Sequence, residues 1–278
     1  IRRTCKKIKP DTILSFNERY NNIVLLSLFG LNLKTFVSDR NSPFKNIGKI
    51  NNILRNFLYK RAYGIIAQTR ISKEVLFKNT RNKNIEVIPN PLKSKKNTMK
   101  YKISKKKIIL NVGRNVHQKN QLELIDIFHS CDYSNWILKI VGNGPLNEQL
   151  KSKVTKLGLN NNVKILDFNQ NIDLLYCEAS IFAFSSLHEG FPNVLLEAMA
   201  HGLPVISYDC QTGPCEIIKD KVNGFLVPLS EKNKFTYCLS NLMKNQELRS
   251  SISKEAKKIE SIYSLEIIAD KYLKFISR

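Results

Sequence analysis

One segment of the sequence, residues 180–207, determines most of what this chain can fold into. An apolar run opens the segment, and a polar loop carrying Glu189 follows. Pro192 then fits the first position of a helix, where its missing N–H costs nothing. Gly202 and Pro204 stop that helix, and a second apolar run ends the segment as a strand. This order predicts a strand–helix–strand unit of a parallel sheet.

Two carboxylates, Glu189 and Glu197, lie on either side of this turn-to-helix junction. The helix N-terminus, at Asn193 and Val194, turns its N–H groups toward the loop that carries Glu189. Such a helix end attracts anions, phosphate among them. Glu197 lies about one turn into the helix, on the side that can reach a sugar hydroxyl. These residues together predict a pocket for a phosphorylated, hydroxyl-rich ligand.

The rest of the chain alternates between apolar strands and amphipathic helices, which is typical of parallel sheets covered by helices. Before residue 93 we expect strands at 10–16, 34–38, 64–68 and 85–88, and helices at 23–31, 54–62 and after a capping Ser72. The Lys-, Asn- and Ser-rich residues 93–107 predict a linker. Beyond it we expect strands at 108–112, 136–141, 163–166, 181–184 and 203–207, and helices at 120–129, 146–157, 172–177, 192–201, 235–243, 252–259 and 264–276.

Polar and aromatic side chains follow the predicted strand ends of the second series. They are Arg114, Asn143, Phe168, Glu189 and Asp209. A doubly wound sheet binds its ligand at the carboxyl ends of its strands, so these residues should converge on one crevice. The Gly142-Asn-Gly144 turn lacks the third glycine of a dinucleotide fingerprint, so we interpret it as a tight turn beside the ligand.

The segment from Glu189 to Ile206, EGFPNVLLEAMAHGLPVI, resembles the E-x7-E motif of family-4 retaining glycosyltransferases, in the form seen in bacterial polysaccharide and glycan-assembly enzymes. The resemblance is strong over residues 106–227. It implies an α/β protein of the GT-B fold, with two Rossmann-like domains that contain parallel sheets, the first of them incomplete. The implied domains are a partial acceptor-side domain at 1–92, a linker at 93–107, a nucleotide-sugar domain at 108–260, and a terminal helix at 261–278 that crosses back to the first domain.

The same resemblance implies roles for individual residues. Glu189 would stabilise the oxocarbenium charge that develops on the donor sugar, and Glu197 would bind the ribose hydroxyls. Arg114 and Lys119, in a Gly-Arg-x4-Lys pattern, would hold the diphosphate, because two fixed cations stabilise a leaving anion without a metal. The full donor-binding set that it implies is Gly113, Arg114, Lys119, Asn143, Phe168, Gly190, Phe191, Pro192, Asn193, Val194 and Glu197.

Two further loops resemble family segments less completely. Asp39, Arg40 and Asn41 lie in a loop similar to one that meets the acceptor, although an ordinary polar turn explains them equally well. The 209–217 stretch departs from the family pattern, because Cys215 stands where an arginine is usual. A disulfide or metal site formed by Cys215 and Cys210 is the alternative there.

Composition narrows the possible partners. Lys and Arg number 45 against 23 Asp and Glu, a formal net charge of +22, which favours an anionic partner: a nucleic acid, an acidic membrane surface or a phosphorylated ligand. A biased, AT-rich genome is an equally open explanation for part of that charge. The six cysteines lack C-x-x-C spacing, the four histidines lack zinc spacing, and there is no Asp-x-Asp, so we expect neither a metal nor another cofactor.

The family resemblance implies a retaining hexosyltransferase. It would move a hexose or N-acetylhexosamine from a nucleoside-diphosphate sugar, with UDP as the expected nucleotide, to a lipid-linked glycan in surface-polysaccharide synthesis, such as that of lipopolysaccharide O-antigen. We expect it in the cytoplasm, peripherally bound to the inner face of the plasma membrane. The alternatives are a GT-B sugar-nucleotide epimerase and an inactive donor-binding fragment, since the resemblance implies that the first βαβ portion is missing. No nucleic-acid-binding motif supports a nucleic-acid partner.

Overall fold

The structure, a computed structural model, describes residues 1–93, 104–168 and 171–278 of the chain. It divides into two compact units. Unit 1 combines Ile1–Pro91 with Tyr263–Arg278, and unit 2 comprises Leu92–Ile262. Most of the predicted linker, residues 94–103, lies outside the described residues.

Unit 1 contains a four-stranded parallel sheet in the order β1-β2-β3-β4. Its strands are β1 (Thr12–Phe16), β2 (Lys34–Ser38), β3 (Gly64–Ala67) and β4 (Ile85–Val87). Its first helices are α1 (Arg2–Ile8), α2 (Glu18–Ser27), α3 (Lys49–Tyr59) and α4 (Arg70–Thr80). Because right-handed crossovers all proceed in one direction along this sheet, α2, α3 and α4 lie on one of its faces.

Unit 2 contains a six-stranded parallel sheet in the order β10-β9-β8-β5-β6-β7. Its strands are β5 (Ile108–Val112), β6 (Ile137–Val141), β7 (Val163–Leu166), β8 (Ile181–Phe184), β9 (Val205–Asp209) and β10 (Gly224–Pro228). Its helices are α5 (Gln121–His129), α6 (Asn147–Lys156), α7 (Ile172–Glu178), α8 (Asn193–Ala200), α9 (Pro214–Ile217), α10 (Lys232–Lys244) and α11 (Gln246–Ala256). Short 3-10 turns occur at His117–Lys119 and Lys257–Ile259. The chain leaves unit 2 through α12 (Glu260–Tyr263) and ends in α13 (Leu265–Ile276).

Helix α13 packs within unit 1. The ring of Phe275 meets that of Phe36 edge-on, with centroids 5.2 Å apart, and a Cβ on Gly64 would lie 2.9 Å from Phe275. The Thr12 hydroxyl donates to the carbonyl of Ile276 at 3.4 Å. Since Phe36 and Phe275 are both almost fully buried, α13 contributes directly to the core of unit 1.

Three predicted helix starts differ from the observed ones, two of them because a cap residue was overlooked. Helix α4 is capped by Thr69, whose hydroxyl accepts from the Ser72 amide at 3.0 Å, so Ser72 is not the cap. Helix α2 begins at Glu18 rather than Ile23, because the Asn17 side chain accepts from the Arg19 amide. Pro192 is the residue before α8, with φ −82° and ψ 92°, rather than its first helical residue.

In unit 2 one strand is shifted from its predicted position, and two elements were not predicted. Strand β9 runs from Val205 to Asp209, two residues later than predicted. Strand β10 was not predicted, because Gly224 and Pro228 at its ends resemble turn punctuation. The four-residue helix α9 was missed as well, since it is too short to show a helical period.

No helix in the described parts of the chain is both long enough and apolar enough to cross a membrane.

Candidate functional site

Strand β5 is the switch point of the unit 2 sheet. It pairs with β6 on one side and with β8 on the other, so the chain winds in opposite directions from it. The loops that follow β5 and β8 therefore diverge at their start and leave a crevice between them. The first loop begins with Gly113 and Arg114, and the second carries Glu189. Residues that were predicted from separate parts of the sequence thus follow two neighbouring strands.

Three hydrogen bonds tie these two loops together. The Ser185 hydroxyl donates to the carbonyl of Lys119 at 2.8 Å. The Leu187 amide donates to the carbonyl of Gln118 at 2.9 Å, and the Gln118 side chain donates to the carbonyl of His188 at 2.7 Å. This bracing holds the backbone on both sides of the crevice before any ligand arrives.

Lys119 and Glu189 form an ion pair across the crevice. Their Nζ and Oε1 atoms are 2.6 Å apart, and the two side chains are 17% and 10% exposed. The Lys119 ammonium also lies 5.0 Å from the centre of the Phe184 ring. A side chain at Gly113 would press on the Lys119 methylenes at 3.2–3.3 Å, so the glycine makes room for this lysine. The structure thus joins the predicted catalytic carboxylate to one of the two predicted phosphate-binding cations.

Arg114 differs from Lys119 in having no described partner. Its side chain is exposed. Within the described ranges no residue accepts a hydrogen bond from its guanidinium or forms an ion pair with it. Its backbone is held, because the Gln121 side chain donates to the Arg114 carbonyl at 3.1 Å. Since Lys119 and Glu189 neutralise one another, Arg114 supplies an uncompensated positive charge beside them.

Helix α8 points its N-terminus at the same loop, and the loop after β9 supports it. The Thr212 hydroxyl donates to the Glu189 carbonyl. Gly213 has φ +98°, and a Cβ there would lie 2.6 Å from Pro192 Cδ and 2.8 Å from the Gly190 carbonyl oxygen. Only glycine therefore allows this approach. Phe191 and Pro192 are buried beneath the helix start, where Asn193 is exposed and Val194 is half-buried.

Glu197 lies in a cleft of its own, on the side of α8 that faces α7. Its Oε2 accepts from the Tyr176 hydroxyl at 3.1 Å. Burial raises the pKa of Glu197, whereas the Tyr176 hydrogen bond and the charge of Lys93 oppose that shift. The Tyr176 ring stacks on His201 with centroids 5.0 Å apart, and Lys93, Asp173 and His201 all line the cleft.

The Gly142-Asn-Gly144 turn is pressed against the backbone of the loop after β5. A Cβ at Gly142 would lie 1.8 Å from the Gly113 oxygen, and one at Gly144 would lie 2.3 Å from the Asn115 oxygen. The glycines therefore serve close backbone approach rather than dinucleotide binding. Asn115 is fully buried and donates to the Gly142 carbonyl at 2.8 Å.

Asn143 and Phe168 lie on the exposed side of the same turn. With its nitrogen turned toward them, the Asn143 amide donates to the Gly142 oxygen and to Asp167 Oδ1, both at 3.0 Å. Phe168 is 58% exposed, so its ring is available to a planar ligand.

In unit 1 the predicted acceptor loop is held by buried groups of the unit itself. Glu18 accepts from the amides of Arg40 and Asn41 at 2.9 and 2.8 Å. Asp39 accepts from the Tyr59 hydroxyl at 2.6 Å, and burial, followed by the charge of Glu18, raises the pKa of Asp39 to about 7. These contacts account for Asp39 as a structural residue, and the acceptor role of this loop stays a prediction.

Arg40 also bonds within unit 1. Its guanidinium donates to Asn90 and, at 3.1 Å, to the Tyr272 hydroxyl, and it lies 4.7 Å from the centre of the Phe16 ring. It is therefore a partnered side chain, in contrast to Arg114.

Cys210 and Cys215 do not form the disulfide that was one alternative for the 209–217 stretch. Cys210 and Cys215 are both free thiols. The Cys215 thiol bonds to the Asp209 carboxylate, and burial raises the pKa of Cys210 to about 12. Within residues 1–93, 104–168 and 171–278, no three His, Cys, Asp or Glu side chains cluster as metal ligands would.

Sequence reasoning missed several supporting residues. They are Tyr176, Gln118, Asn115, Thr212 and Glu18. Asn115 and Gln118 stand at variable positions of the Gly-Arg-x4-Lys pattern, Thr212 lies in the 209–217 stretch, and each of the five acts on a partner distant in sequence. The available signal was polarity inside an apolar pattern: Glu18 falls on the buried side of α2, and Tyr176 falls on the buried side of α7.

The described residues thus form an α/β protein whose doubly wound sheet carries an ion pair, an exposed arginine and a helix N-terminus at its switch point. The chain belongs to the glycosyl transferases group 1 family, whose model matches residues 93–259. It is 30% identical to the amylovoran biosynthesis glycosyltransferase AmsD of Erwinia amylovora, over 97% of this chain and 78% of that protein.

A second relative comes from Campylobacter jejuni. It is N-acetylgalactosamine-N,N'-diacetylbacillosaminyl-diphospho-undecaprenol 4-alpha-N-acetylgalactosaminyltransferase, which is 27% identical over 99% of this chain and 78% of its own length. Among solved structures, Anabaena Alr3699/HepE in complex with UDP-glucose superimposes with a TM-score of 0.83 at 21% identity, covering 96% of this chain and 78% of that one. The fold is therefore GT-B, which confirms the fold class expected from the E-x7-E segment.

Proposed function

We propose that this glycosyltransferase moves a hexose or N-acetylhexosamine from a UDP-sugar to a lipid-linked glycan, with retention of configuration, in surface-polysaccharide synthesis. The observation that carries the proposal is the Lys119–Glu189 ion pair beside the unpartnered Arg114 at the β5–β8 switch point. That arrangement offers a carboxylate for developing positive charge next to cations for a departing diphosphate.

The leaving group is the first requirement of such a transfer. A nucleoside diphosphate departs with at least two negative charges, which need fixed positive partners. Arg114 can present a two-pronged guanidinium, and Lys119 a point charge, to its oxygens. The N-terminus of α8, at Asn193 and Val194, adds a partial positive charge. No metal is required for this charge balance.

Glu189 is the proposed catalytic residue. As the bond from the anomeric carbon to the diphosphate lengthens, the sugar ring gains oxocarbenium character, and a nearby carboxylate stabilises that charge. Diphosphate binding would draw Lys119 toward the phosphates and leave Glu189 free to face the sugar. Gly190, Phe191 and Pro192 would form the wall of the sugar pocket. We assign no protein nucleophile.

The nucleoside is the second part of the proposed donor site. Glu197 would accept hydrogen bonds from the ribose hydroxyls, with Tyr176 holding its carboxylate in place. Phe168 and the Asn143 turn would lie beside the base. The choice of UDP rests on the solved relative that binds UDP-glucose.

The proposed acceptor rests on the relatives and on charge. The Campylobacter relative acts on a diphospho-undecaprenol-linked sugar, and the Erwinia relative acts in amylovoran biosynthesis. A net charge of +22 favours the anionic cytoplasmic leaflet, where such acceptors would be reached, at roughly 1 kcal/mol for each well-placed Lys or Arg. The proposed location is the cytoplasmic face of the plasma membrane.

Calorimetric binding of UDP, with GDP and ADP for comparison, tests the donor site. We expect UDP to bind and Arg114→Ala to weaken it by about 10- to 100-fold, the worth of a charge-assisted hydrogen bond. Lys156→Ala, which removes an exposed cation of α6, is the matched control and should bind like the wild type. Equal affinity in Arg114→Ala and Lys156→Ala would remove Arg114 from the site.

Product analysis with a UDP-sugar and an undecaprenyl-diphosphate-linked sugar tests the reaction. Transfer gives an extended lipid-linked glycan whose new linkage can be assigned α or β by NMR. A free epimerised sugar would instead indicate the epimerase alternative, and binding without any product would indicate a donor-binding fragment. Glu189→Gln should abolish transfer while leaving UDP binding close to that of the wild type.

A further inference from the structure

Helices α2 and α3 of unit 1 bury polar residues beside apolar ones and expose several large apolar residues. A helix that covers a sheet normally turns apolar residues inward and polar residues outward. Here the buried positions of α2 include Glu18, Asn21 and Asn22, and the buried positions of α3 include Arg55. Hydrogen bonds within unit 1 engage part of these inward polar groups, as in the bond from Asn21 to the Ser38 carbonyl at 3.1 Å.

Several outward positions of the same two helices, together with Phe29 just after α2, carry large apolar side chains. We call these residues the apolar face: Ile23, Leu26, Phe29, Ile50, Ile53 and Phe57. Their exposure ranges from 47% at Leu26 to 74% at Ile50. On α3 the spacing of residues 50, 53 and 57 places them in one stripe along the helix. Large apolar side chains at consecutive outward positions of two neighbouring helices mark a surface built for contact.

The two halves of the apolar face are continuous. Both helices connect parallel strands, so they run side by side in the same direction, and the Asn22 side chain donates to the Asn51 carbonyl at 3.0 Å between them. At their C-terminal ends the Arg61 guanidinium lies 4.8 Å from the centre of the Phe29 ring and 4.5 Å from that of Phe57. Arg61 therefore joins the stripe of α2 to the stripe of α3.

The charges around the apolar face all have one sign. From residue 12 to residue 73 the only acidic residues are Glu18 and Asp39, and both are buried. The exposed cations of the two helices and their flanking loops are Arg19, Lys45, Lys49, Lys60 and Arg61. An apolar patch with a wholly basic rim is complementary to a surface that offers hydrocarbon beneath negative charge.

We propose that the apolar face docks on an anionic lipid bilayer. The isoleucines, Leu26 and the two phenylalanines enter the boundary between headgroups and acyl chains, while the rim of cations contacts lipid phosphates. A second copy of this chain is a poorer occupant, because two such faces would bring cations against cations with no carboxylate to pair them. The apolar face would supply the membrane contact that the proposed function needs. This proposal rests on the proposed function only for the lipid-linked acceptor.

Vesicle sedimentation tests this surface directly. The full chain is mixed with vesicles of phosphatidylglycerol and phosphatidylcholine, or of phosphatidylcholine alone. We expect binding to the anionic vesicles, weakened at least about tenfold when Ile50, Ile53 and Phe57 are all changed to serine. Changing Val222, Leu229 and Tyr237 of unit 2 to serine removes three exposed apolar residues elsewhere and should leave binding unchanged.

A charge variant and two folding controls complete the experiment. Lys49→Gln with Lys60→Gln keeps the apolar face and should weaken binding to anionic vesicles only. Circular dichroism reports whether each variant folds, and UDP calorimetry reports on unit 2. Loss of UDP binding in all proteins with vesicle binding intact would overturn the proposed donor site and leave the membrane surface standing.

Three results would overturn the membrane proposal. They are no binding of the wild type to anionic vesicles, equal binding by the folded Ile50/Ile53/Phe57 serine variant, and a wild-type dimer in analytical ultracentrifugation that this variant dissociates. The last result would assign the apolar face to a second copy of the chain.

Discussion

At the scale of single residues, the candidate site consists of motif residues and the partners that orient them. Glu189 and Glu197 share one motif, yet the first pairs with Lys119 and the second with Tyr176. The two carboxylates of one short segment therefore lie in different environments. Burial raises the pKa of Glu197, and the Tyr176 hydrogen bond opposes that shift.

Tyr176→Phe should therefore weaken UDP binding through Glu197. The Tyr176 hydrogen bond orients the Glu197 carboxylate and opposes the rise of its pKa, so without the hydroxyl we expect a loss of about 3- to 10-fold that grows as the pH falls. Calorimetry with UDP and with 2′,3′-dideoxy-UDP measures this. The dideoxy ligand should be almost indifferent to the substitution, whereas equal losses for both ligands would indicate a general packing defect. Tyr237→Phe, at an exposed tyrosine, is the control.

The raised pKa of Asp39 predicts how the stability of unit 1 depends on pH. Its pKa is about 7 in the folded chain and 3.8 when freely exposed, so between these values the folded state binds the proton more tightly. The contribution of Asp39 to the stability of unit 1 should accordingly be fully present below about pH 4, fall as the pH rises toward 7, and change little above that.

Hydrogen exchange of the β2 and β3 amides between pH 4 and 8, corrected for intrinsic rates, measures this dependence. Asp39→Asn should flatten it, because an amide keeps an acceptor for Tyr59 without titrating. Asp11→Asn, at an exposed carboxylate, should leave the slope unchanged, and a slope that persists in Asp39→Asn would assign the dependence to another group.

At the scale of elements, backbone contact between loops explains the glycines of the site. The turn after β6 lies so close to the loop after β5 that neither Gly142 nor Gly144 can carry a side chain without displacing backbone. The two loops therefore act as one element in positioning Arg114 and Lys119.

Gly144→Ala should destabilise unit 2 by about 2–4 kcal/mol, since its Cβ would overlap the Asn115 backbone. Gly158→Ala is the matched control. That glycine has φ +68° with open space around its Cβ position, so only the left-handed backbone cost of about 1 kcal/mol applies. Urea unfolding followed by the fluorescence of Trp136 in unit 2 compares the two, and equal losses would contradict the contact.

Sequence patterns located strands better than helix ends. The bounds of β2, β5, β7 and β8 agree with the predictions, because an apolar run bounded by polar residues marks a buried strand plainly. The start of α2 was misplaced because its buried face is polar, which reverses the usual periodicity. In the site, Glu189 and Lys119 were recognisable from motifs. Tyr176 and Thr212 were not, because their partners are brought near only by the sheet order.

At the scale of the whole molecule, the two units divide the chain unevenly. Unit 2 is one continuous stretch, Leu92–Ile262, and it contains the entire candidate donor site. Unit 1 is built from Ile1–Pro91 together with Tyr263–Arg278. A substitution in α13 should consequently change the stability of the sheet formed by β1 to β4.

Phe275→Ala tests this division. Phe275 is 1% exposed and packs on Phe36, so its loss should destabilise unit 1 by about 3–5 kcal/mol. Hydrogen exchange should show faster opening of β2 and β3 and unchanged protection of β5 and β8. Leu273→Ala, at a 60% exposed position of the same helix, is the control. Equal loss of protection in both units would show that they unfold together.

The return of α13 to unit 1 also has a consequence for synthesis on the ribosome. Domains generally fold as they emerge, the N-terminal one first. Here the sheet of unit 1 must wait with the Phe36 side of β2 uncovered until α13 has been translated. Unit 2, which is the continuous stretch Leu92–Ile262, can be complete before it. The nascent chain therefore acquires its two units in the reverse of the order in which they begin.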